Sequence, residues 1–144
     1  MKRVVGCLSL IACLLVVTGW TFPALAQESP RALVATYQVS AGKHLDFLKW
    51  MAKAEAVVKE AGGPAAQWYM HENGASWDFV SITPQLDAAK QAEVDRKVET
   101  LSKQKGFATG LKASFEFRQY IGTHSDTFAH GPMTASELVK AAEK

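Results

Sequence analysis

The sequence predicts an α+β domain in which a four-stranded antiparallel sheet carries helices on one face. Three observations lead there. From Ala32 to Val39, Leu33, Ala35, Tyr37 and Val39 alternate with Val34, Thr36 and Gln38, which is the period of a strand. From Phe47 the apolar residues recur every three or four positions, which is the period of a helix. Asn73-Gly74 then joins two short runs rich in aromatic and β-branched residues, the signature of a hairpin.

The elements follow in order. Ser40-Ala41-Gly42-Lys43 turns the first strand into a helix running from His44 to about Ala61, with Phe47, Leu48, Met51, Ala54 and Val58 on its apolar side. Gly62-Gly63-Pro64 stops it. The hairpin spans 65–83. A two-residue type I′ turn at Asn73-Gly74 pairs Trp68 with Phe79, Tyr69 with Asp78, Met70 with Trp77 and His71 with Ser76. One face is then Trp68, Met70, Trp77 and Phe79. The other is Gln67, Tyr69, His71, Ser76, Asp78, Val80 and Ile82. Pro84 ends the hairpin. A charged helix runs from Leu86 to Lys105, with Glu93 and Lys97 at the favourable i,i+4 spacing. Residues 111–122 fit a helix through Leu111, Phe115 and Arg118, and a strand through Phe115, Phe117 and Ile121. Gln119 breaks the apolar face of that strand and favours the helix. A last strand covers Thr123 to His130. A short helix from Thr134 to Glu143 opens with Thr134 and Glu137 at capping-box spacing.

This order, β-α-β-β-α-(α)-β-α, is the ferredoxin-like arrangement. Helices cover only one face of such a sheet. The other face, carrying Tyr, Val and Ile, calls for a second protomer.

The 144 residues hold one domain. Met1-Lys2-Arg3, an apolar run from Val4 to about Val17 and Ala24-Leu25-Ala26 are the parts of a secretory signal cleaved near Ala26. The domain is then 27–144, periplasmic or secreted. Leu10-Ile11-Ala12-Cys13 also has the form of a lipobox, but the residues after Cys13 stay apolar where a lipoprotein carries a polar tether. Thr18, Gly19 and Pro23 break the run, so stable membrane insertion after processing is not expected. Cys7 and Cys13, the only cysteines, lie in the leader. The mature chain therefore has no disulfide and no thiol nucleophile. Without Lys2 and Arg3 it carries 14 basic and 14 acidic residues, which removes the electrostatic basis for binding nucleic acid.

Tyr37-Gln38-Val39-Ser40-Ala41-Gly42-Lys43 with Phe47-Leu48 resembles the first strand, turn and helix of the dimeric α/β-barrel proteins. Gly74-Ala75-Ser76-Trp77-Asp78-Phe79 resembles their second hairpin strand. Ile121-Gly122-Thr123-His124-Ser125-Asp126 is similar to the end of NIPSNAP-like members. The resemblance extends to the antibiotic biosynthesis monooxygenase-like proteins. It implies a homodimer with a barrel between two sheets, in a superfamily that includes cofactor-independent oxygenases and haem-degrading enzymes. The secretion signal departs from the mostly cytoplasmic members. Fold alone does not select a reaction among them, and no cofactor follows from it.

Three sets of residues can carry chemistry. Tyr69, His71 and Asp78 share one hairpin face, where an Asp holds a Tyr proton and a His serves as base. The same pattern also fits a structural cross-strand hydrogen bond. His124 and Asp126, two apart on a strand, form a metal site if His44 joins them; alternatively they make local turn contacts. Trp50, Trp68 and Trp77, with Met51 and Met70, suit a small apolar or aromatic ligand or the core, and Arg118 suits a ligand carboxylate or an acidic neighbour such as Asp126. Two functions follow: an exported small-molecule protein, oxygenase-like if it is an enzyme, or a non-enzymatic periplasmic binding or interaction module carrying metal or haem.

Overall fold

The computed structural model describes residues 30–143. The leader and both cysteines lie outside the described residues. Among the described residues no helix is long and apolar enough to cross a membrane.

The elements are β1 (Arg31–Val39), α1 (His44–Glu60), β2 (Gln67–Met70), β3 (Phe79–Pro84), α2 (Ala88–Gln104), α3 (Gly110–Arg118), β4 (Ile121–His130) and α4 (Ala135–Ala142). The sheet order is β2-β3-β1-β4, and every neighbouring pair is antiparallel. This is the ferredoxin-like topology, with β1 and β3 inside and the fourth strand returning beside the first. The helix reading of the ambiguous segment holds as far as Arg118, where α3 ends; Ile121 and Gly122 belong to the strand, which starts two residues earlier than expected.

The core follows from the alternation in β1. Ala35, Tyr37 and Val39 point to the helices and are buried with Phe47 of α1, Phe79 of β3 and Ile121 of β4. Phe47 is 0% exposed and touches aromatic rings on three sides: Tyr37 at 5.2 Å between centroids, Phe79 at 5.9 Å and Trp68 at 6.2 Å. The opposite face carries Val34, Thr36, Val80 and Ile82, all half-buried, with polar Gln38, Thr123, Ser125 and Thr127 exposed on it.

The helix ends behave as their sequences direct. Asp87 caps α2 by accepting the Lys90 amide at 2.9 Å. Thr134 and Glu137 form the capping box of α4: the Glu137 amide donates to Thr134 Oγ1 at 3.2 Å, and the Thr134 amide donates to Glu137 Oε2 at 2.6 Å. Every residue of α4 is nevertheless exposed, Leu138 and Val139 included. After α1 the chain passes so close to the helices that a Cβ at Gly63 would sit 2.5 Å from Val58 Cγ1 and 3.1 Å from Val94 Cγ1. Glycine is required there by space. Lys105 and Glu60, 2.9 Å apart, tie the ends of α2 and α1 together.

The hairpin departs from the expected turn. Asn73-Gly74 does not form a type I′ turn, which needs positive φ at both residues; only Gly74 has it, at 74°. The pairing is Trp68 with Ser81, Tyr69 with Val80 and Met70 with Phe79, two residues away from the two-residue-turn register. Within the paired residues 67–70 and 79–82 the faces survive, because a slip of two preserves the alternation, whereas His71, Ser76, Trp77 and Asp78 fall in the loop outside the ladder. Trp68, Met70 and Phe79 still look toward the helices.

Phe47→Ala removes a fully buried ring from the centre of the aromatic cluster. It should cost about 3–5 kcal/mol of unfolding free energy, read from the midpoint of urea denaturation.

Candidate functional site

Two places in the fold concentrate chemistry: the end of the sheet where the hairpin loop meets α1, and a cleft in the helix layer.

The first is organised by Asp78. β3 begins at Phe79, so the amide of Val39 in β1 has no main-chain acceptor on that side, and Asp78 Oδ2 accepts it at 2.6 Å. The Asp78 amide donates to the Tyr37 carbonyl at 2.7 Å. The other carboxylate oxygen, Oδ1, lies 3.4 Å from His44 Nε2 at the start of α1. The His44 ring meets Phe79 edge-on at 6.3 Å. Asp78 therefore latches the hairpin loop to β1 and to α1, and its carboxylate orients an imidazole whose Nδ1 makes no hydrogen bond among the described residues.

The proposed grouping of Tyr69, His71 and Asp78 is not assembled. Tyr69 faces Val80 in the ladder, is half-exposed, and its hydroxyl donates to Gln67 Oε1 at 3.3 Å. His71 hydrogen-bonds the Trp77 carbonyl through Nδ1, which must carry the proton because a carbonyl only accepts. The physical reason is the long loop. With Asp78 captured by β1, nothing holds it opposite Tyr69.

The metal set His44, Asp126 and His124 also divides. His44 lies against β3, whereas His124 and Asp126 stand on β4, and β1 runs between them. Two strand spacings are roughly 10 Å, beyond the reach of one ion. His124 Nε2 and Asp126 Oδ2 are 3.8 Å apart, and the His124 ring packs edge-on against Phe117 at 5.2 Å. Among the described residues no three His, Cys, Asp or Glu side chains come together to hold a metal ion.

Of the ligand candidates, Trp68 is a core residue. Its ring stacks on Tyr37 at 5.5 Å and its Nε1 donates to Glu55. Trp77 sits in the hairpin loop against His71, with ring centroids 5.5 Å apart. Arg118 is exposed at the end of α3 and has no ion pair among the described residues, so the expected contact with Asp126 is not made.

Tyr37 is a buried polar group in the same core. Its hydroxyl and that of Ser81 are 3.3 Å apart. Burial pushes the phenol above its ordinary range, the Ser81 hydrogen bond opposes this, and the carboxylates of Asp126 and Glu55 add to it. The tyrosine is neutral at any physiological pH.

The second place holds Trp50, one of the tryptophans read as pocket-lining, in a cleft whose other walls the sequence does not locate. A half-open cleft of about 700 Å³ separates α1, α2 and α3. Its apolar surface comes from Trp50, Val57 and Val58 of α1, Val98 of α2 and Phe107 of the α2–α3 link. Lys53, Asp95, Glu99 and Glu116 supply its charges. The link is bracketed by Gly106 and Gly110, both at positive φ (71° and 58°). The size and apolar lining are those of a small-molecule site. The available sequence signal was Phe107 in the glycine-bracketed link Gly106–Gly110 between two helices, which reads as a turn and not as a wall.

Three solved structures resemble this architecture. A NIPSNAP family protein from Agrobacterium tumefaciens is 15% identical, with a TM-score of 0.53, over 75% of this chain and 96% of its own. A NIPSNAP domain protein from Burkholderia xenovorans is 15% identical at a TM-score of 0.50, over 73% and 96%. A point mutant of SnoaB, a cofactor-independent oxygenase from Streptomyces nogalater, is 16% identical at 0.50, over 74% and 97%. At these identities the likeness establishes the fold alone, the ferredoxin-like arrangement seen in the strand order. No protein-family model and no curated protein sequence matches the chain.

At the sheet end, Asp78→Ala should cost about 1–3 kcal/mol by stranding the Val39 amide, whereas Tyr69→Phe should change stability by less than about 0.5 kcal/mol. A double-mutant cycle on the two should be additive, because they share no contact. In the core, the raised Tyr37 phenol stabilises the folded state fully below about pH 10, where unfolded tyrosine is still protonated. Above that pH the unfolded chain releases this proton first, so stability falls as pH rises toward the folded value. Tyr37→Phe should remove that part of the alkaline fall in urea titrations at successive pH values.

Proposed function

We propose that the protein is exported, cleaved after Ala26, and acts as a homodimeric α/β-barrel protein that binds a small apolar molecule. The observation that carries the binding reading is the cleft of about 700 Å³ between α1, α2 and α3, with Trp50 and Phe107 in its lining. The dimer reading is supported by two uncovered apolar sets in one chain: Val34, Val80 and Ile82 on the open sheet face, and Leu138 and Val139 on α4. A second copy covers the sheet face without any other partner.

Oxygenase-like catalysis has one observation in its favour besides the fold shared with SnoaB. Asp78 and His44 form a carboxylate–imidazole pair able to take a proton from a substrate. Neither residue lines the cleft. Catalysis by this pair therefore requires a substrate seated at the sheet end, whereas binding in the cleft requires nothing further. A metal carrier would need ligands that the described residues do not bring together.

Native mass spectrometry of protein isolated from the periplasm tests the proposal. The expected species is a dimer of chains beginning at Gln27, carrying additional small-molecule mass. Periplasmic protein retaining residues 1–26 would remove the cleavage reading, and protein found only in the cytoplasmic fraction would remove the export reading. Ile82→Glu should convert the dimer to a folded monomer in size-exclusion chromatography with light scattering. A variant that stays dimeric would place the interface elsewhere.

A further inference from the structure

The cleft does more than offer apolar surface: its charges select a ligand. Of the side chains that line it, Asp95, Glu99 and Glu116 are acidic and Lys53 alone is basic. These carboxylates differ in how far they are already occupied. Glu99 is held by Lys103 at 2.6 Å along α2, so most of its charge is spent within the helix. Asp95 accepts a hydrogen bond from the Gln91 amide at 2.8 Å, a neutral donor that leaves the negative charge in place. Glu116 is half-buried on α3 and has no ion pair among the described residues; Lys53 is exposed and likewise has none. After Lys53 and Lys103 are set against the acids, one negative charge remains over an apolar floor.

The floor has the chemistry to complement this. Trp50 lines the cleft from α1, with its ring braced by Phe117 at 5.6 Å and Tyr120 at 6.4 Å. A braced indole attracts a cation through its ring quadrupole, and the attraction strengthens as water is excluded. A carboxylate and an indole lining one half-enclosed space favour an organic cation with an apolar body. They disfavour an organic anion, which would meet the carboxylates unpaired.

We propose that the cleft between α1, α2 and α3 is a binding site for an amphiphilic organic cation, an alkyl or aryl ammonium compound, with Glu116 and Trp50 as the residues that recognise the charged head. The inference rests on the reading of the cleft as a small-molecule site and adds the class of molecule.

The test uses three ten-carbon probes below their micelle concentrations: decyltrimethylammonium, decanol and decyl sulfate. Binding to the mature protein is followed by calorimetry and tryptophan fluorescence. Decyltrimethylammonium should bind at least about tenfold more tightly than decyl sulfate, with decanol between them. Glu116→Gln should weaken the cation about two- to fivefold and leave decanol unchanged, while Lys53→Gln should tighten the cation by a similar factor. Both substitutions lie at the cleft's polar residues, away from the aromatic core, so folding is preserved and checked by circular dichroism. Equal binding of all three probes overturns the charge selection while the cleft remains a small-molecule site. Tighter binding of decyl sulfate overturns it as well. A cation preference that neither variant moves places recognition outside the cleft and overturns the assignment. Failure of all three probes to bind removes the small-molecule reading together with this one.

Discussion

The structure depends on β1 being paired along both edges. It runs antiparallel to β3 on one side and to β4 on the other, so its main-chain groups are satisfied within the sheet and its side chains alternate strictly between two environments. The core between sheet and helices is placed by that alternation. Ala35, Tyr37 and Val39 take the helix side, and Phe47 closes over them because it lies on the inner face of the helix that immediately follows. Val34 and Thr36 take the other side and remain only half covered. Where the ladder has to end, it ends on side chains and irregular backbone. Asp78 receives the Val39 amide, and a bulge at Gln38/Val39 shifts the register against β4.

That same demand decides the local chemistry. A carboxylate recruited to finish a strand is no longer free to pair across a hairpin. Asp78 binds main chain and His44, and Tyr69 is left in solvent. The residues that looked like a catalytic cluster are distributed by backbone hydrogen bonding, which outweighs side-chain proximity because an unsatisfied buried amide is the larger cost. The imidazole of His44 gains an oriented carboxylate as a consequence.

The core and the cleft divide the aromatic residues between two tasks. Tyr37, Phe47, Trp68, Phe79 and Phe117 pack on one another between sheet and helices. Trp50 lies one turn beyond Phe47 on α1 and contacts Phe117 from the far side, so it belongs at once to the back of the core and to the wall of the cleft. A ligand there would be read by the helix layer, while the outer face of the sheet stays half covered.

By itself the sequence determined the elements and their faces. Period-two alternation from Leu33, three-and-four spacing from Phe47, the break at Gln119 and the Thr134–Glu137 capping box are local patterns, each satisfied by neighbours close in the chain. The hairpin faces were legible too, because parity survives a slip of two residues. What only the tertiary structure decided was which distant groups meet. The Asn73-Gly74 signal lost to a longer loop because β1 supplied partners for Asp78. His44 went to β3 and not to β4 because α1 starts over that side of the sheet. The cleft emerged where three helices fail to close over Trp50. These outcomes turn on hydrogen-bond partners and gaps separated by tens of residues, and no spacing within a single segment encodes them.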